Sequence, residues 1–241
     1  MNFLLDPSTY HTFDILIAIA LIIVSYLVGA IPFGVIVGKI FKGIDIRNYG
    51  SKNIGTTNSI RILGKKLGFL VFFLDVFKGM LVIIIVKALN SAGAWVTPID
   101  ELWYGAAAIL GHSFSIYLGF KGGKAVAVSL GVVLITTPIS AISCIVIFLL
   151  ALYITGYVSV SSTLATITVL IGVWLLHFFG AEIVPNSFDN NFWTYFIGKT
   201  SLPLTIMFTF AASLIIYKHI PNYKRLLKGT ENSFKHKKKE A

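Results

Sequence analysis

The sequence predicts an all-α, polytopic membrane helix bundle with seven transmembrane helices, its N-terminus outside and its C-terminus cytoplasmic. Three observations lead there. The chain is 56% hydrophobic and only 12% charged, with a mean hydropathy of +0.84, which leaves too little polar surface for a soluble domain. Apolar runs long enough to cross a bilayer recur along its length. The basic residues between those runs fall on one side of the membrane when the spans are counted as seven.

Taken in order, the first span lies near residues 13–40. The N-terminus has no basic leader, and the apolar stretch from Ile15 to Ile40 is too long for a signal-peptide core, so it stays as a span. Further spans fall near 67–89, 102–119, 124–138, 139–157, 162–181 and 200–218. The fourth and fifth share one apolar stretch punctuated by Gly131, Pro138 and Gly156, read as two helices meeting at Thr136 to Pro138, with a six-span chain as the alternative. No linker or internal repeat divides the chain, so residues 1–241 are read as a single domain with a basic tail from about 232. The lone Cys144 cannot form an intrachain disulfide and is read as packing or lipid-facing.

Charge favours seven spans. The cytoplasmic side then receives Lys39, Lys42, Arg47, Lys52, Arg61, Lys65, Lys66, Lys121, Lys124 and the tail from Lys218, while the outer side keeps Lys87 and Lys199. Six spans would place the Lys-rich tail opposite the basic loop 42–66. The net charge of +10 is thus one-sided. Nucleic acid is excluded as a partner, because the basic residues are divided among short loops and a tail flush with the bilayer; anionic membrane lipids or an anionic substrate fit better.

Four polar segments share the cytoplasmic face in this topology. Gly50 to Gly64 (GSKNIGTTNSIRILG) concentrates Ser51, Asn53, Thr56, Thr57, Asn58, Ser59 and Arg61, a density of donors suited to a multiply charged oxyanion. The GFKGGK turn sets Lys121 and Lys124 around Gly122 and Gly123 at a helix start, an anion cradle that lacks the spacing of a Walker A loop. The Tyr157 to Ser162 turn is the third. In the tail, His219, Asn222 and Arg225 recur at three-residue intervals and share a face if the helix continues, although Pro221 predicts a bend.

Asp75 and Lys78 lie on one face inside the second span and are read as a structural ion pair. His112 ends the third span just before the cradle and is read as a ligand or a support. The histidines are scattered, so neither a metal site nor a cofactor is expected.

Read in order, GSKNIGTTNSIRILG, DVFKG, GHSFSIYLGFKGGKAVA, VSVSS and HIPNYKRLLKGTE resemble the motifs of the bacterial membrane glycerol-3-phosphate acyltransferases that use acyl phosphate as donor. The match extends from Gly50 to Glu231. Departures are Lys52 where glycine is usual, Thr56 for alanine, Ala125 for the glycine after GGK, Ile220 for arginine, Thr155-Gly156 for basic residues, and a longer stretch at 181–200.

The resemblance implies transfer of a fatty acyl group from acyl phosphate to the 1-hydroxyl of sn-glycerol 3-phosphate, giving 1-acyl-glycerol 3-phosphate and phosphate. It implies that Ser51, Asn53, Thr57 and Asn58 bind and orient phosphate, with Arg61 and Lys124 neutralising charge. Gly122 and Gly123 would offer backbone donors to the leaving phosphate; the residues themselves, rather than the resemblance, add Lys121 of the cradle and the adjacent His112, as ligand or support, to the substrate site. Ser162, His219, Asn222 and Arg225 would hold glycerol 3-phosphate, with His219 or the donor's own phosphate taking the hydroxyl proton and Glu231 anchoring the tail. The soluble phosphate acyltransferase that makes acyl phosphate is the implied partner, and the setting is the bacterial inner membrane. No GxSxG elbow or His-x4-Asp motif accompanies these segments; His177 to Glu182 is a loose variant on the opposite face. The competing class is a transporter of a phosphorylated metabolite, disfavoured because the polar residues cluster at one face and no repeat is visible.

Overall fold

The computed structural model describes residues 11–183 and 202–234. Asp6, Asp189, Lys199, Lys237 to Lys239, the side chain of Glu182 and most of the 181–200 stretch lie outside them. The described chain is helical, with no strand among the described residues. Its α-helices are α1 (Thr12–Ala30), α2 (Phe33–Lys42), α3 (Thr56–Leu63), α4 (Lys65–Ser91), α5 (Leu102–Ser113), α6 (Val126–Thr136), α7 (Pro138–Thr155), α8 (Val158–Ile183) and α9 (Leu202–Leu227). Short 3-10 turns occupy Ile46–Asn48 and Ile116–Leu118.

Among the described residues, five helices are long and apolar enough to cross a membrane: α1, α4, α7, α8 and α9. The chain is therefore a multi-pass membrane protein. The predicted first span, 13–40, is broken: α1 ends at Ala30, and α2 starts after Ile31 and Pro32. Proline has no N–H to continue the ladder and biases the residue before it away from helix. The predicted third span, 102–119, holds the 12-residue α5, about 18 Å of α-helix against a hydrocarbon core of about 30 Å, and then the 3-10 turn Ile116–Leu118. The boundary expected at Thr136 to Pro138 falls at Thr137, with Pro138 opening α7 at the position where its missing N–H is harmless. Tyr157 to Ser162 is not a turn, because α8 begins at Val158, separated from the left-handed Gly156 by Tyr157 alone. Despite Pro221, α9 continues as one helix to Leu227, so the tail triplet is helical.

The chain forms two compact units, Met1–Ile135 and Thr136–Ala241. In the first, α1 packs on α5 and α4, and α2 and α3 both pack on α4. Small residues permit the close crossing of α1 and α5: a Cβ on Gly29 would collide with the Ala108 backbone, and one on Gly111 with the Tyr26 carbonyl. Ser25 Oγ donates to the Tyr104 carbonyl at 2.5 Å, and Ser115 Oγ to the Ala30 carbonyl at 2.6 Å. Beneath the polar loop, Val35, Val37, Ile46, Ile54, Leu63 and Val71 form an apolar core. In the second unit α8 packs between α7 and α9. Thr163 and Tyr223 hydroxyls meet at 2.6 Å, and Trp174 Nε1 donates to Thr209 Oγ1 at 3.2 Å.

Candidate active site

In the first unit the polar loop is built around one buried amide. Asn58, on the first turn of α3, is 1% exposed. Its Nδ2 donates to the carbonyls of Ile46 (3.0 Å), Tyr49 (3.2 Å) and Asn53 (2.9 Å), while its Oδ1 accepts the Ser51 N–H at 2.9 Å. Four backbone groups scattered over the loop thus converge on a single side chain. The sequence expectation is that Asn58 binds phosphate; its polar atoms are instead committed to the loop's backbone, as the second donor to the Ile46 and Tyr49 carbonyls, which also accept the Tyr49 and Lys52 N–H groups, and as a donor to the Asn53 carbonyl. Asn53 Oδ1 accepts the Gly55 N–H at 2.9 Å, closing the turn that enters α3. On this frame sit Ser51, exposed, Thr57, half-buried, and Arg61, exposed and one helical turn beyond Thr57. Thr56 Oγ1, where alanine is usual, is buried and makes no hydrogen bond.

The loop's flank is fixed by an ion pair. Asp45 accepts the Arg47 N–H at 3.0 Å, capping the 3-10 turn, and its carboxylate meets Arg47 Nη2 at 2.6 Å. The side-chain hydrogen bond from Arg47 draws the Asp45 pKa down from 3.8 to about 2, so Asp45 is ionised throughout the neutral range.

The GFKGGK segment lies on His112. The His112 carbonyl accepts the Gly123 N–H at 2.9 Å, and a Cβ on Gly122 or Gly123 would collide with the His112 carbonyl or ring respectively. Gly123, expected to donate to a leaving phosphate, spends its N–H on this support. The glycines serve close approach to histidine. Lys121 is exposed, Lys124 half-buried, and α6 begins only at Val126, two residues after the cradle.

His112, 4% exposed, stands between the cradle and the buried pair beneath it. Lys78 Nζ meets Asp75 Oδ1 at 2.8 Å with both side chains 2% exposed, and His112 Nδ1 is 3.9 Å from the same oxygen. Lys78 also donates to the Ile31 carbonyl at 2.7 Å and lies 5.4 Å from the Phe33 ring centroid. The lysine therefore adds a second donor to the carbonyl at the break after α1, which also accepts the Phe33 N–H at 3.1 Å. Sequence reasoning found the pair but not this partner; Pro32 was the available signal.

In the second unit a carboxylate does the organising. Glu231 Oε1 accepts from Ser159 Oγ at 3.0 Å and from Asn222 Nδ2 at 2.7 Å, while Oε2 accepts from Arg225 Nε at 2.8 Å. Ser159 went unrecognised as a partner, although it lies in the VSVSS motif. His219, 2% exposed, pairs its Nδ1 with the Ile215 carbonyl at 2.8 Å. A carbonyl cannot donate, so Nδ1 carries the proton and Nε2 is the basic nitrogen of the neutral ring. Tyr223 stacks on the imidazole at 6.2 Å. Ser162 is buried at 2%. No cluster of three or more His, Cys, Asp or Glu suited to a metal occurs among the described residues.

This membrane-embedded helical fold, with two polar clusters rich in anion-binding groups, places the chain in the class of multi-pass membrane enzymes acting on phosphorylated substrates. The family profile described as glycerol-3-phosphate acyltransferase matches residues 19–229, and the chain belongs to that family. It is 43% identical over 235 residues to the glycerol-3-phosphate acyltransferase of Acholeplasma laidlawii, covering 93% of this chain and 96% of that protein. The Fusobacterium nucleatum enzyme of the same name is 42% identical over 214 residues, covering 89% and 96%. Among solved structures, the integral membrane glycerol 3-phosphate acyltransferase PlsY in its glycerol 3-phosphate form is similar, with a TM-score of 0.72, 37% identity and coverage of 90% and 95%. Its lysophosphatidic acid form gives a TM-score of 0.70 at 36% identity, with the same coverage.

Proposed function

We propose that this chain is a glycerol-3-phosphate acyltransferase that moves a fatty acyl group from acyl phosphate to the 1-hydroxyl of sn-glycerol 3-phosphate. The observation that carries this reading is the Asn58-centred loop, which holds the Ser51 and Thr57 hydroxyls and the Arg61 guanidinium on a fixed frame. Hydroxyls and guanidinium suit phosphoryl oxygens, and a frame set before binding removes the ordering cost from the reaction.

In the step, the 1-hydroxyl oxygen attacks the acyl carbonyl carbon. The new ester C–O bond forms, the C–O bond to the phosphate breaks with its electron pair, and phosphate departs. The proton goes either to the phosphate or to His219 Nε2. Arg61, Lys121 and Lys124 offset the charge on phosphate. Ser162, His219, Asn222 and Arg225 hold glycerol 3-phosphate, with Glu231 fixing the last two of these. Asn58, His112, Gly122, Gly123 and the Asp75–Lys78 pair position the machinery. An acyl phosphate is a mixed anhydride with a good leaving group, so positioning and charge neutralisation suffice without an acyl-enzyme.

The same reading takes residues 1–241 as one acyltransferase domain with seven spans, the N-terminus outside and the polar loops on the cytoplasmic face of the inner membrane. The one-sided distribution of lysine and arginine supports that orientation. A soluble phosphate acyltransferase would supply the donor.

Purified protein offered labelled glycerol 3-phosphate with acyl phosphate, acyl-CoA or acyl-carrier protein tests the donor. Product from acyl phosphate alone is expected; product only from acyl-CoA overturns the donor assignment. Membrane-impermeant thiol labelling of single cysteines placed at Lys52 and Lys87, in a Cys144→Ala background, tests the orientation, which labelling of position 52 from outside intact cells would refute.

A further inference from the structure

Among the described residues, three non-glycine residues adopt a left-handed backbone: Lys52 (φ 58), Phe120 (φ 62) and Ala125 (φ 58). Lys52 and Phe120 lie in the two segments assigned to phosphate and Ala125 directly follows the second, and Lys52 alone of them carries charge. An L-residue held in that region is strained relative to its right-handed alternatives, so it persists only where the surroundings fix it. Asn58 does so here. It accepts the N–H of Ser51 on one side of Lys52 and donates to the carbonyl of Asn53 on the other, while the Lys52 N–H bonds to the Tyr49 carbonyl at 3.0 Å.

Most surface lysines occupy ordinary backbone and serve solvation. This one is exposed at a strained position between two candidate phosphate ligands, and it makes no ion pair among the described residues. The contrast with Arg47 is direct: that cation, five positions earlier, is held by Asp45. Glycine would relieve the backbone at position 52 but remove the ammonium.

We propose that Lys52 is a further substrate-binding residue, its ammonium engaging the phosphate group of a substrate at the Ser51–Asn53 edge of the loop. This rests on the acyl-transfer reading. It gives the loop a mobile cation beside the fixed hydroxyls, raising affinity for the phosphate dianion without entering the bond-making step.

The test is a steady-state comparison of wild type with Lys52→Gln, Lys52→Gly and Lys52→Arg, with KM measured separately for glycerol 3-phosphate and acyl phosphate. Lys52→Gln should raise KM for a phosphate substrate roughly two- to fivefold, with a smaller change in kcat. Lys52→Arg should restore most of that loss. Lys52→Gly should show the same KM defect together with a thermal midpoint raised by about 1–2 °C. Both KM values unchanged in Lys52→Gln and Lys52→Gly would overturn the proposal. So would a defect that appears only as an altered dependence on anionic lipid content, which would assign the ammonium to membrane headgroups. A wild-type protein silent with every acyl donor would refute the reaction itself, and inorganic phosphate protection of the wild type but not of Lys52→Gln against thermal unfolding would then still support the lysine.

Discussion

Two polar clusters, one in each unit, are organised by opposite means. In the first, the neutral amide of Asn58 binds backbone groups, three carbonyls and one N–H. In the second, the charged Glu231 binds side chains, those of Ser159, Asn222 and Arg225. The difference decides what remains for a ligand. An organiser that takes up backbone leaves neighbouring side chains to the substrate, whereas one that takes up side chains shares them with it. The loop around Asn58 is thus a fixed frame. In the Glu231 cluster the carboxylate already draws on both Arg225 and Asn222, so any ligand of these two side chains must share them with it.

The sharpest way to break this contrast is Asn58→Leu. It leaves the Ser51 N–H and the Asn53 carbonyl without their partner and strips a second donor from the Ile46 and Tyr49 carbonyls, which keep backbone N–H groups. Each unsatisfied buried group costs about 1–3 kcal/mol. Loss of even about 2.7 kcal/mol from the transition state corresponds to roughly 100-fold in rate, so acyl transfer should nearly vanish while detergent-solubilised protein still elutes as a folded species. Activity above a tenth of wild type would show that the frame is not needed.

Glu231→Gln should be milder. It keeps an acceptor for part of the cluster but removes the charge-assisted bond with Arg225, a loss of about 1–2 kcal/mol. The expected readout is a roughly tenfold higher KM for glycerol 3-phosphate with a smaller effect on kcat. An unchanged KM would mean that the carboxylate does not position the acceptor's ligands.

Gly123→Ala extends the comparison to a segment supported, like the loop, through backbone. The added methyl meets the His112 ring, and overpacking of this kind destabilises by about 1–3 kcal/mol. The thermal midpoint should fall, and full rescue by His112→Ala in the same chain would locate the clash.

The smallest effect should come from Ala125→Gly. Relief of the left-handed strain, about 1–2 kcal/mol, is partly offset by about 0.5–1 kcal/mol of chain entropy. A net stabilisation of about 0.5 kcal/mol is expected, read as a slightly higher midpoint; a lower midpoint would show that Ala125 packs better than its backbone suffers.

Much of this was legible in the sequence, and what was not has a physical reason. Residue types carry the Asp75–Lys78 pair, because i,i+3 spacing on a helix dictates proximity. The boundary at Thr137 follows from the proline after it. The work of Asn58 was hidden because its partners are main-chain carbonyls, which every residue possesses and no composition reveals. Ser159 and Glu231 are 72 residues apart, so no local periodicity connects them. The break at Ile31 was missed because hydropathy stays high across it, and a window that averages apolar residues cannot see a missing amide proton.

That break bears on how the chain is made. The Ile31 carbonyl accepts the Phe33 N–H within its own turn, and its second donor is Lys78, 47 residues later. At about 5–20 residues per second, ribosomal synthesis takes roughly 2–9 s to supply that lysine. Until then that carbonyl has only the Phe33 N–H, at 3.1 Å, and its second lone pair faces hydrocarbon that cannot satisfy it, so the segment has reason to linger at the lipid–water boundary. Arrival of α4 closes it, which makes the ion-paired lysine a late fastener in membrane insertion as well as a support beneath the mature site.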